Sequence, residues 1–276
     1  MAGFVAVGCW SPRRGRETLH RVAITPLLQA VGETLRIIVP TLVDERRRAL
    51  DPGVADLRLR KWGRAVLAGA DVRLVTRGLE HARGNEPFVI LSNHQSLYDI
   101  PVIYAALDRR IRMVGKKELF RIPLFAATAR AVGMIEIDRQ NRERAIQSLE
   151  SAKPLLASGA SVWLAPEGTR TKTGALGPFK KGGFRLAIAA GVRILPVTID
   201  GTREVLPATG WTAKRGVEVR VTIAPPVDAP AYGIDGLERL MHDVREAIAV
   251  PLYESLRRNS IAPSDRATQS DLRALG

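Results

Sequence analysis

The sequence predicts an α/β fold: a mixed, largely parallel sheet flanked by helices, with a two-helix segment ahead of it. Three observations predict it. From about residue 72 onward, short apolar runs alternate with stretches of helical spacing. Before that point only helical spacing occurs. Four polar clusters, finally, each follow directly on an apolar run, and ligands of open α/β sheets bind beyond the carboxyl ends of strands.

The elements follow in order. Residues 17–43 read as a helix broken or kinked at Pro26 and ending near Pro40, with Leu27, Leu28, Val31, Leu35 and Ile38 on one stripe. A charged turn, DERRRALDPG, leads to a second helical stretch, VADLRLRKWGRAVLAGA (54–70). Two apolar-striped helices with basic turns suit a membrane interface, and they equally suit a cover for the core. The expected strands are 72–76, 87–92, 111–115, 134–137, 161–165, 194–199 and 217–223. Helical patterns intervene at 99–107, 117–131, 140–157 and 182–190, and a last one covers about 234–258. The organisation expected is a membrane-associating helical segment at 1–70, an α/β domain at 71–259 and a polar tail at 260–276.

Composition narrows the function. The 276 residues carry 42 Lys and Arg against 28 Asp and Glu, a formal charge of +14. Such a surface attracts nucleic acid, an anionic membrane face or phosphorylated small molecules. Only 5% aromatic residues and no recognition motif argue against nucleic acid. The single cysteine, Cys9, rules out an internal disulfide and a cysteine metal cluster. No HExxH, acidic calcium loop, G-x-S-x-G elbow or phosphate-binding G-x-x-x-x-G-K-[ST] loop occurs, so neither a metal nor a resident cofactor is expected. The apolar start MAGFVAVGCW lacks a positive leading region and is not expected to be a signal peptide. No uncharged run exceeds 13 residues, so no spanning helix is expected.

The chemistry lies in the clusters. In NHQSLYD, after the second strand, His94 and Asp99 are five residues apart. That spacing alone is uninformative, since His81 also has a carboxylate five residues on at Glu86. On one continuous helix the two would point about 140° apart. They meet only if His94 sits in the loop and Asp99 in the first helical turn. Asp99 then fixes the imidazole tautomer and leaves the other nitrogen as a general base. Otherwise Asn93 or Ser96 caps a helix and His94 is a surface loop residue. Arg139 and Arg170 also follow strands directly, each a planar fork suited to phosphate. Lys172, Lys180, Lys181 and Arg185 lie on the glycine-rich chain after Arg170. With a base, phosphate ligands and no evident protein nucleophile, the simplest chemistry is direct attack by a substrate hydroxyl.

NHQSLYD, GMIEIDR, APEGTR and ILPVTIDG, in this order and spacing, resemble the four sequence blocks of the 1-acyl-glycerol-3-phosphate acyltransferase family. The resemblance spans about residues 91–201 and implies the glycerolipid acyltransferase fold. It implies transfer of a fatty acyl chain from acyl-CoA or acyl-carrier protein to the sn-2 hydroxyl of lysophosphatidic acid, giving phosphatidic acid. A lyso-aminolipid or another lysophospholipid is the alternative acceptor. By the same resemblance His94 is the base and Asp99 its partner, and Lys116, ahead of Lys117, stabilises charge near the reacting carbonyl. Arg139, Glu167, Gly168, Thr169 and Arg170 shape the acceptor's phosphate site, and Pro196 helps form the donor side. Two departures stand out: Ala165 replaces a frequent aromatic residue, and the N-terminal region is charged and proline-broken. The latter favours a monotopic or peripheral enzyme on the cytoplasmic face of the cell membrane.

Overall fold

The computed structural model describes residues 25–210 and 212–261. The readings of residues 1–24, with Cys9, and of the tail after 261 lie outside it. Two helices come first, α1 (Thr25–Arg46) and α2 (Pro52–Gly69). There follow β1 (Arg73–Arg77), β2 (Phe88–Ser92), α3 (Asp99–Ala106), β3 (Ile111–Lys116), α4 (Pro123–Ala131) and β4 (Ile135–Ile137). The middle of the chain supplies α5 (Arg142–Glu150), α6 (Lys153–Ala157), β5 (Ser161–Leu164), α7 (Gly182–Ala190) and β6 (Arg193–Asp200). The remainder is α8 (Thr202–Val205), β7 (Glu218–Ile223), α9 (Ala229–Tyr232) and α10 (Leu237–Ile261).

All seven expected strands are present and form one sheet in the order β1-β7-β6-β2-β5-β3-β4. Only the β6–β7 pairing is antiparallel, so β1 and β7 run against the other five strands. The sheet is mixed and mostly parallel, as its strand–helix alternation predicts. Centrally placed β2 is buried at every residue. Its odd and even positions serve different layers. Phe88 and Ile90 pack with Leu59, Val66 and Leu67 of α2 and Val102 and Ile103 of α3. Val89 and Leu91 pack with Phe184 of α7 and Leu240, Val244 and Ile248 of α10. Each such side chain contributes roughly 1.5–3 kcal/mol on burial.

Proline explains where helices depart from expectation. The single helix expected at 140–157 is two, because Pro154 has no N–H to donate to the turn before it. The stretch 117–131 opens as a 3-10 turn at Lys117–Arg121, and α4 starts only at Pro123 after an extended Ile122 (φ −82°, ψ 110°). By contrast Pro40 does not end α1, which continues to Arg46. By length and composition α1 is apolar enough to cross a bilayer, a correction to the expectation that no segment qualifies. It packs on α2 and α4. Its outer stripe, Leu28, Val31, Leu35, Val39 and Val43, is exposed.

Helix α2 is bolted to the sheet by charge. Asp56, on its buried face, pairs with the buried Arg112 of β3, and Arg110 Nε lies 3.4 Å from the other oxygen. Removing one partner of a buried pair leaves an uncompensated charge. Asp56→Ala is therefore expected to cost about 3–5 kcal/mol. The midpoint of denaturant unfolding measures this, and a loss under about 1 kcal/mol would show the pair to be dispensable.

Candidate active site

The site is built where β2 and β6 end side by side. Asn93, one residue past β2, is buried and uses its amide as a surrogate peptide. Its Nδ2 donates to Ile199 O (2.7 Å), and its Oδ1 accepts from Ile199 N (2.7 Å). Both groups of a central strand are satisfied while the chain turns out of the sheet. The loop then closes on the first residue of α3. Asp99 Oδ2 accepts from Gln95 N (2.7 Å) and Ser96 N (2.9 Å), and His94 Nδ1 lies 2.6 Å from the same oxygen. Asp99 is wholly buried, whereas 14% of the His94 side chain is accessible. A carboxylate on Nδ1 selects the tautomer that leaves Nε2 free to accept a proton. The loop-and-first-turn arrangement required by the spacing is the one adopted, and the surface-loop reading of His94 fails.

The loop after β5 holds this arrangement from the other side. Glu167 Oε1 accepts from His94 N (2.8 Å), its Oε2 accepts from Gly177 N (2.8 Å), and Thr171 N donates to His94 O (2.8 Å). Burial pushes the Glu167 carboxyl up, against the two amide hydrogen bonds that lower it. Both Glu167 oxygens are thus committed to backbone. Through these two bonds Glu167 ties the His94 loop to the chain around Gly177.

The cations divide into paired and unpaired. Arg139, half-buried after β4, donates to Gly168 O (2.6 Å), and burial draws its guanidinium below the usual value. Lys117 donates to Asp138 (2.7 Å), which holds that carboxyl below its usual range. Lys116 lies 3.5 Å from Glu118 and has no hydrogen bond or ion pair to His94 or Asp99. Thr169 is exposed. Arg170 is half-buried and, among the described residues, has no carboxylate or hydrogen-bond partner. Pro196 is buried within β6 opposite Leu91 of β2, where its carbonyl accepts from Ala224 N (3.0 Å).

Beside the dyad is a cavity of about 450 Å³. Its walls are apolar (Val114, Ile137, Ile146, Leu149 and Leu164), with Arg139, Arg142, Lys180 and Arg185 among its lining residues. His94 does not line it. The APEGTR turn joins the two: Ala165, Pro166 and Gly168 line the cavity, and the Glu167 side chain turns to His94. Gly168 has φ +72°, and a Cβ there would lie 3.0 Å from Lys180. Sequence reasoning missed Asn93, Gly177 and Thr202 as parts of this site. The polar DGTRE after β6 is the one signal that pointed toward Thr202.

Fold and site together define an acyltransferase domain, and a family model described as Acyltransferase matches residues 73–200. The chain belongs to the 1-acyl-sn-glycerol-3-phosphate acyltransferase family. It is 33% identical over 176 residues to the 1-acyl-sn-glycerol-3-phosphate acyltransferase of Haemophilus influenzae, covering 62% of this chain and 72% of that one. A chloroplastic relative from Brassica napus is 35% identical over 152 residues, 55% of this chain. This chain spans only 44% of that relative's length. The crystal structure of the 1-acyl-sn-glycerophosphate acyltransferase from Thermotoga maritima superposes with a TM-score of 0.69 at 27% identity, covering 84% of this chain and 96% of that one.

Glu167→Gln keeps the size of the side chain but offers one accepting oxygen for two amides. It is expected to cost roughly 1–3 kcal/mol of stability. Denaturant unfolding with amide exchange at His94 and Gly177 checks this, and unchanged protection at both would reject the positioning role.

Proposed function

We propose that the protein acylates the sn-2 hydroxyl of lysophosphatidic acid, with acyl-CoA or acyl-carrier protein as donor, to give phosphatidic acid. The observation that carries the reading is the buried Asp99 on His94 Nδ1, which leaves Nε2 as a base at an accessible site. His94 Nε2 takes the proton of the acceptor hydroxyl as its oxygen attacks the thioester carbonyl. The tetrahedral intermediate then collapses by breaking the C–S bond. The departing thiolate recovers the proton from His94, leaving the ester and a free thiol. No acyl-enzyme forms in this scheme; Ser96 Oγ donates to Leu206 O and Thr202 Oγ1 to Asp99. As written, the reaction needs a thioester co-substrate and no resident cofactor.

Arg170 and Arg139 bind the acceptor's phosphate in this reading. Support comes from Arg170, a half-buried guanidinium without a partner among the described residues, and from Arg139, fixed on Gly168 O beside the cavity. Lys116 serves the reacting carbonyl only if it leaves Glu118 when substrate binds. Purified protein assayed over a panel of lysolipids with both donors tests the whole. His94→Ala is expected to lose about 10²–10⁴ in rate. Arg170→Ala is expected to weaken the acceptor's apparent affinity by about 1.5–3 kcal/mol and leave the donor's unchanged. A His94→Ala enzyme within a few-fold of wild type sinks the mechanism, and a shift in donor affinity alone moves the phosphate site to the donor.

The same reading seats residues 1–70 on the cytoplasmic face of the membrane without crossing it. The outer stripe of α1 supplies apolar insertion while its other side stays on α2 and α4. Arg58 and Arg60 are paired with Asp44 and Asp108, so the cationic contacts fall to Arg46, Arg47, Arg48, Lys61 and Arg64. Each contributes about 1 kcal/mol at an anionic surface. Leu35→Asp with Val39→Asp is expected to abolish flotation on anionic vesicles, and high salt alone only to weaken it. Full release by salt contradicts apolar insertion, and labelling of the 44–53 turn from the far side of the bilayer would show a spanning hairpin.

A further inference from the structure

The two oxygens of Asp99 are used unequally. Oδ2 lies against His94 Nδ1, Gln95 N and Ser96 N. Oδ1 accepts one hydrogen bond among the described residues, from Thr202 Oγ1 at 2.5 Å. Asp99 and Thr202 are each 0% exposed, so solvent offers no substitute donor. Thr202 reaches the dyad from a remote part of the chain. Gly201, at φ +94°, makes the turn out of β6, and a Cβ there would fall 2.4 Å from Glu218 O. The segment so turned is tied again to the His94 loop by Ser96 Oγ, which donates to Leu206 O at 2.7 Å. Thr202 stands two residues past the segment that the family model matches.

We propose that Thr202 is a positioning residue for the acyl transfer, its hydroxyl fixing the Asp99 carboxylate so that Oδ2 stays on His94 Nδ1 and Nε2 stays aimed at the acceptor hydroxyl. The proposal rests on the acyl-transfer reading. A carboxylate turns about its Cβ–Cγ bond, and a buried oxygen without a donor is costly. Stripped of Thr202, Oδ1 would compete with Oδ2 for the same three donors, and the imidazole would lose its fixed direction. The hydroxyl also takes a share of the negative charge. Without it the carboxylate holds the imidazolium proton more tightly, so the base is freed only at higher pH. Glu167, from the loop after β5, is the other carboxylate facing the pair and is untouched by the change.

The test uses the full-length protein and compares wild type, Thr202→Val, Thr202→Ser and Asp99→Asn. Valine keeps the shape without the hydroxyl, and serine keeps the hydroxyl. Thr202→Val is expected to lower kcat about tenfold to a hundredfold at unchanged KM for both substrates. The acid limb of its rate profile should move to higher pH, and Thr202→Ser should stay close to wild type. The loss should vanish on an Asp99→Asn background, where the fixed carboxylate is already gone. Thr202→Ala replaces the valine variant if that protein does not fold, as judged by circular dichroism. An independent readout is the downfield Nδ1 proton resonance of His94, expected to shift in Thr202→Val and not in Thr202→Ser. Normal turnover in Thr202→Val, failure of serine to rescue, an undiminished loss on the Asp99→Asn background or an unmoved resonance each overturns the proposal. Wild type that acylates none of the lysolipids with either donor overturns the functional reading instead, and the resonance still decides the role of Thr202.

Discussion

A carboxylate with no solvent exposure, Asp99, is the constraint on which the rest of the site depends. An isolated buried charge is prohibitively costly, so it must be surrounded by donors before the fold is tolerable. Two come from the backbone of its own loop, one from His94 and one from Thr202. The dyad is therefore a consequence of the loop conformation as much as its purpose. The loop exists in that form only when β2, β6 and α8 are all in place.

The strand order supplies those neighbours. β2 lies between β6 and β5. From β6 come Ile199, clasped by Asn93, and the turn that carries Thr202. From the loop after β5 comes Glu167, clasping the backbone of His94. Even below the loop the two strands are tied, with Trp163 Nε1 of β5 donating to Ser92 Oγ of β2 (3.0 Å). The His94 loop is thus held from three adjacent strands of a buried sheet. The cavity lies toward α5 and α7, across the APEGTR turn, where Arg139, Arg142, Lys180 and Arg185 stand among apolar walls. An amphiphile with an anionic head has the chemistry to fill such a space.

Helix α2 gives the N-terminal region a double character. Its inner face is core, through Leu59, Val66 and Leu67 and the buried Asp56–Arg112 pair. It also carries α1, whose outer stripe has no cover among the described residues. Whatever holds that stripe is coupled through α2 to β3 and the sheet. Packing, rather than a linker alone, joins α1 to the sheet.

Features that depend on near neighbours are legible along the chain. Short apolar runs marked all seven strands, and the run is unbroken in β2 because a strand buried on both faces must be apolar at both parities. The five-residue spacing of His94 and Asp99 required a loop followed by a first helical turn, since no continuous helix lets them meet. Prolines 123 and 154 stand at the first turns of α4 and α6, where the two longer helical patterns are interrupted, while α1 runs on through Pro40. The strand order, the reversal of β7, the commitment of Glu167 to backbone amides and the arrival of Thr202 at Asp99 emerge only once the chain is folded. Those pairs lie 73 and 103 residues apart in the chain. Local periodicity says which face a residue takes, but not which distant donor will be waiting there; that is settled when the sheet closes and every buried polar atom must find a partner.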